Sequence, residues 1–95
     1  MNVNLTPQAR DDLVAIKEWI EADDPRAAER VVSRILQTIE MFGHFPMLGY
    51  EGREPGTREF SVVGLPYIIV YAIASETELN VLTVIHARRQ YPPVS

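Results

Sequence analysis

Apolar residues recur at steps of three and four through the first half of the chain, whereas in the second half they alternate or run together. The change of period separates a helical part from a sheet part. Ala9, Leu13, Ile16 and Ile20 mark one face of a helix over residues 7–22. Thr6 stands where its hydroxyl can cap the first turn, and Pro7 takes the first helical position, where a missing N–H costs nothing. Asp23-Asp24-Pro25 repeats the device, with Asp24 as cap and Pro25 as first residue of a second helix that Gly43 stops. Its stripe is Ala28, Val32, Ile35, Ile39 and Phe42, widened by Val31 and Leu36. Two amphipathic helices on so short a turn predict a helical hairpin.

Residues 2–5 form a short extended candidate ahead of the hairpin. After it, residues 44–57 contain Pro46, Gly49, Gly52, Pro55 and Gly56, which suits a surface loop and no regular element. Residues 58–63 alternate, with Arg58, Phe60 and Val62 on one face and Glu59, Ser61 and Val63 on the other. Gly64-Leu65-Pro66 turns the chain into residues 67–73, continuously apolar and rich in β-branched and aromatic side chains, as in a central strand covered on both faces. A polar turn at 75–78 leads to a last strand over 79–85. The order β-α-α-β-β-β predicts an α+β fold, a helical hairpin packed on a small, mainly antiparallel sheet, with residues 1–95 as a single domain.

Charge changes this picture at one end. The net charge is -4, which argues against a general nucleic-acid binder, since sequence-independent affinity comes from neutralising phosphates. No direct sequence-specific DNA binding is expected of this chain alone. Beyond Leu79, however, there is no acid, and Arg88 and Arg89 are the only full side-chain charges. The last strand therefore runs into His86-Ala-Arg-Arg-Gln-Tyr-Pro-Pro, which places an imidazole, two guanidiniums and a phenol at the edge of a core. The chain has no cysteine, which rules out disulfides and thiolate metal sites, and it shows neither a signal peptide nor an apolar run of membrane-spanning length. No metal and no cofactor are expected, and the expected location is cytoplasmic, away from the membrane.

Four segments in order, Phe45-Pro46-x-x-Gly49, Gly56-Thr57-Arg58-Glu59, Pro66-Tyr67-Ile68-Ile69-Val70-Tyr71 and Val84-Ile85-His86-Ala87-Arg88-Arg89-Gln90-Tyr91-Pro92, resemble the RelE/ParE superfamily, toxins of type II toxin-antitoxin systems often described as plasmid stabilization proteins. The resemblance covers essentially the whole chain. It implies a toxin neutralised by a cognate antitoxin, which wraps over the helical hairpin and the sheet. Trp19, Ile20, Leu36, Arg58 and Arg89 are the candidate antitoxin contacts.

The superfamily divides by target. RelE-like members cut mRNA on the ribosome, a reaction that needs a base, an acid and converging cations at a phosphate. RelE carries lysines on the strand that matches 58–63 and an arginine after the tyrosine that matches Tyr67. Here those places hold Phe60 and Ile68, and Lys17 is the sole lysine. ParE-like members instead poison DNA gyrase by binding, and the resemblance favours that branch, with His86, Arg88, Arg89 and Tyr91 as target contacts and no catalytic residue. The alternative is a ribosome-dependent mRNA endoribonuclease whose catalytic set would be His86, Arg58, Arg88, Arg89 and Tyr91.

Each candidate also has a plainer reading. His86 suits a half-exposed histidine bonded to nearby backbone, and Arg88 and Arg89 suit a solvated pair or weak ion pairs with Glu18 or Glu21. Arg58, on an apolar face, needs a partner and is either a structural cation or a functional one. Tyr67 and Tyr71 fit core packing. Trp19 lies off the helix stripe, at the edge of the core or open to a partner.

Overall fold

The computed structural model describes residues 1–89, 91 and 92. Gln90, Pro93, Val94 and Ser95, which belong to the C-terminal segment singled out in the sequence, lie outside the described residues. The elements are β1 (Asn2–Leu5), α1 (Pro7–Glu21), α2 (Pro25–Phe42), β2 (Tyr50–Glu51), β3 (Arg58–Ser61), β4 (Tyr67–Ile73) and β5 (Glu78–His86). Both helices start as the caps predict: Thr6 accepts from the Ala9 N–H at 3.1 Å, and Asp24 accepts from the Ala27 N–H at 3.1 Å. Gly43 closes α2 in a right-handed conformation. Its lack of a side chain matters because a Cβ there would stand 3.2 Å from the Met1 carbonyl oxygen and 3.3 Å from Val3.

The five strands form one sheet in the order β1-β5-β4-β3-β2, with β1 parallel to β5 and the other pairs antiparallel. The sheet is therefore mixed, and a two-residue strand, β2, lies inside the stretch read from the sequence as a loop without regular structure. The last strand also reaches one residue further at each end than its apolar run, taking in Glu78, paired with Asn2 of β1, and His86, paired with Tyr67 of β4. β3 stops at Ser61 rather than 63, where the chain turns through Gly64 at φ 78°.

One face of the sheet carries the helices. There Phe42 stacks on Tyr71 at 4.1 Å between ring centroids and meets Phe60 edge-on at 5.9 Å. Ile35, Ile39, Ile69, Leu79, Val81 and Val84 complete the core around them. Truncating Phe42 to alanine would cost about 3–5 kcal/mol by transfer and cavity terms together. Among the described residues the opposite face carries no helix, yet Val70 and Ile85, which alternate with the core residues, are buried too. Among the described residues no helix is long and apolar enough to cross a membrane.

Candidate functional site

β1 pairs with β5 only as far as Val81, so the outer edge of β5 from Leu82 onward has no strand beside it. Two side chains from the helical part take its backbone groups. The Thr6 hydroxyl donates to the Leu82 carbonyl at 2.8 Å, and Asp12, on α1, accepts from the Val84 N–H at 2.9 Å. Asp12 also accepts from the Thr83 hydroxyl and, at 2.8 Å, from the Gln8 amide. A carboxylate only 8% exposed is thus satisfied entirely by neutral donors.

Past this point α1 and the end of β5 enclose a groove of about 380 Å³ lined by Asp12, Ile16, Trp19, Tyr67, His86 and Arg89, among others. Trp19 stands 80% exposed at its margin. Tyr67 and His86 face each other across the β4–β5 pair with rings 5.5 Å apart and nearly perpendicular. Burial pushes the Tyr67 phenol above its ordinary pKa, which keeps it protonated and neutral. His86 Nδ1 accepts the Arg88 backbone N–H at 3.1 Å, so the neutral ring carries its hydrogen at Nε2.

The groove unites three sequence candidates, Trp19, His86 and Arg89, and separates the rest from them. Arg88 is exposed and does not line it. Ile20 is half-buried and Leu36 exposed. Arg58 lies on β3 opposite Tyr71, four residues along β4 from the partner of His86 and two strands away, roughly 16 Å by strand geometry. Its guanidinium finds its partner in backbone rather than in a carboxylate: Nε donates to the Gly49 carbonyl at 2.8 Å, and Nη2 donates to the same oxygen and to Met47 O. The buried Tyr71 hydroxyl completes this scaffold, donating to Pro46 O and accepting from Gly49 N–H, both at 2.8 Å. A Cβ on Gly49 would come within 2.8 Å of that hydroxyl, which explains the glycine in Phe45-Pro46-x-x-Gly49.

Tyr91 is on the other side of the sheet. Its ring lies 5.2 Å from the guanidinium carbon of Arg53, and Arg53 is paired at 2.9 Å with Glu59, a carboxylate 3% exposed. Burial pushes the Glu59 carboxyl up, but the bonds from the Arg53 guanidinium and N–H more than offset this and hold it below its ordinary range. Among the described residues this is the one side-chain ion pair, so Arg88 and Arg89 are not engaged with Glu18 or Glu21.

Asp12, Arg53 and Glu59 escaped the sequence reading. Asp12 had a signal, since it borders the Ala9-Leu13-Ile16 stripe. Glu59 stood in the Gly56-Thr57-Arg58-Glu59 segment, but strict alternation assigned it to solvent.

A family model for the ParE toxin of type II toxin-antitoxin systems, parDE, matches residues 3–91. A protein from Sinorhizobium fredii (strain NBRC 101917 / NGR234), described as "Putative toxin Y4kP", is 41% identical over 92 residues, covering 97% of this chain and 94% of its own length. A solved structure described as the chromosomal ParDE system from P. aeruginosa superposes with a TM-score of 0.80 over 90% of this chain and 95% of that one. At 20% identity that likeness establishes a shared fold. The chain belongs to the ParE toxin family of type II toxin-antitoxin systems.

Proposed function

We propose that this toxin poisons DNA gyrase by binding it, using the C-terminal edge of the sheet, with His86, Arg88, Arg89 and Tyr91 as contacts. Membership of the family implies an antitoxin partner, and in this reading the antitoxin covers Trp19, Ile20, Leu36 and the Arg89 side of the groove. Arg58, held to the Gly49 and Met47 carbonyls, supports the loop between α2 and β3 instead.

The bond from the Arg88 N–H to His86 Nδ1 carries the choice against nuclease chemistry. A histidine that takes a proton at Nε2 must begin with Nε2 bare and its hydrogen on Nδ1, and the imidazolium form has hydrogens on both nitrogens. Either state turns Nδ1 into a donor facing another donor. The cations argue the same way, since Arg58 and Arg53 are committed to other acceptors and, among the described residues, Arg89 is the one cation that joins His86 in the groove.

Purified toxin is expected to inhibit supercoiling or to trap cleaved gyrase–DNA complexes at micromolar concentration. A folded toxin without either effect would overturn the reading. His86→Ala is expected to reduce inhibition by no more than about tenfold, the loss of one interface side chain. Transcript cutting on translating ribosomes, slowed by orders of magnitude in the same variant, would establish the nuclease instead.

A further inference from the structure

The chain leaves β5 on the helix side at His86 and arrives on the helix-free side at Tyr91. A tight turn makes the passage, with Ala87 N–H donating to Pro66 O at 2.8 Å and Arg89 N–H to His86 O at 2.9 Å. On the far side Arg53 is held from both directions. Its backbone N–H donates to Glu59 Oε2 at 2.8 Å, and its Nη2 and Nε donate to Oε1 at 2.9 and 3.1 Å, a forked arrangement that fixes the guanidinium plane. The remaining nitrogen, Nη1, donates to the Tyr91 carbonyl at 3.4 Å, and the guanidinium lies over the Tyr91 ring. Arg53 is therefore a bridge between a buried carboxylate on β3 and the segment after β5.

We propose that Glu59 is a positioning residue which, through Arg53, latches the chain at Tyr91 on the helix-free face, and that the latched chain is the form in which Arg88, Arg89 and Tyr91 meet the target. The functional half of this inference rests on the reading that the C-terminal edge docks on the target. The latch bends one short segment around the end of β4 and β5, leaving Arg89 toward the groove and Tyr91 on the opposite side. A free segment would have to be ordered during binding, and the latch meets that entropic cost during folding. Glu59, being 3% exposed, has almost no surface with which to touch a partner, and its hydrogen bonds among the described residues come from Arg53.

Trypsin provides a direct readout, because cleavage after Arg88 or Arg89 requires the tight turn to open into an extended conformation, which the hold on Tyr91 opposes. Glu59→Gln, Arg53→Met and Tyr91→Ala are each expected to speed cleavage at these bonds by about tenfold or more, with Arg53→Lys intermediate because it keeps the charge and loses the fork. Glu59→Gln and Arg53→Met are expected to weaken growth arrest in cells lacking the antitoxin, and to weaken supercoiling inhibition in parallel. Tyr91→Ala lies outside the core and tests the latch even if a change at Glu59 prevents folding. Cleavage at the wild-type rate in all three variants would overturn the latch. Faster cleavage with undiminished growth arrest would overturn its role in target binding, as would a wild-type protein that causes no arrest. Loss of arrest in the variants, beside a wild type that leaves supercoiling untouched, would remove gyrase as the target while supporting the latch.

Discussion

Two buried carboxylates hold the two sides of the C-terminal edge, and they are satisfied by opposite means. Asp12, on the helix side, takes an amide, a hydroxyl and a backbone N–H, all neutral, and anchors β5 just before His86. Glu59, on the helix-free side, takes an arginine whose own side chain is 45% exposed, and that arginine holds the chain just after the turn. The first arrangement replaces a missing neighbouring strand, since β1 ends opposite Val81 and the Val84 N–H would otherwise be stranded. The second is open to solvent on its cationic side, where the Arg53 side chain is 45% exposed. Asp12 thus acts as structure, whereas Glu59 sits where structure and segment position meet.

The sharpest way to break the comparison is Asp12→Leu. It leaves the Val84 N–H and the Thr83 hydroxyl without an acceptor and is expected to cost about 2–4 kcal/mol, a fall in Tm of roughly 10–20 °C for a domain of this size. Asp12→Asn, which keeps one carbonyl acceptor, should lose less than half as much. Equal losses in the two variants, measured by thermal melting, would mean that the charge rather than the acceptor matters there.

Glu59→Gln should cost less, about 1–2 kcal/mol, because Arg53 can regain water. Its signature lies in acid. The folded state holds the Glu59 carboxyl below its ordinary range, so the stabilisation from the pair is complete above that range and disappears as pH falls through the folded value. Urea midpoints of the wild type and Glu59→Gln are expected to differ near neutrality and to converge only in acid, below the ordinary carboxylate range. A difference that persists in acid would contradict the ion-pair account.

Trp19→Ala should produce the smallest change in folding, within about 0.5 kcal/mol, since the indole is 80% exposed. If the antitoxin covers the groove, the same substitution should weaken its binding by roughly thirtyfold, the scale of an aromatic anchor, as read by calorimetry. Unaltered affinity would move the antitoxin away from this groove.

Much of the frame was legible in the residues alone. The stripe from Ala9 to Ile20, the caps at Thr6 and Asp24 and the unbroken run 67–73 determined two helices and a central strand, because local spacing and backbone chemistry suffice to select each. The family, too, was written in short motifs, two of which the fold joins where Gly49 lies beneath the Tyr71 hydroxyl. The parallel pairing of β1 with β5 was decided by tertiary structure, since strand direction depends on where the helical hairpin returns the chain. Arg58, Arg53 and Glu59 were decided there as well. Alternation gives each side chain a face, but it cannot say whether that face is covered, or by which distant segment. Only the fold brings Tyr91 to Arg53, keeps Arg58 for the loop and places His86 on the other side of the sheet, because a charged group chooses its partner from whatever packing brings within reach.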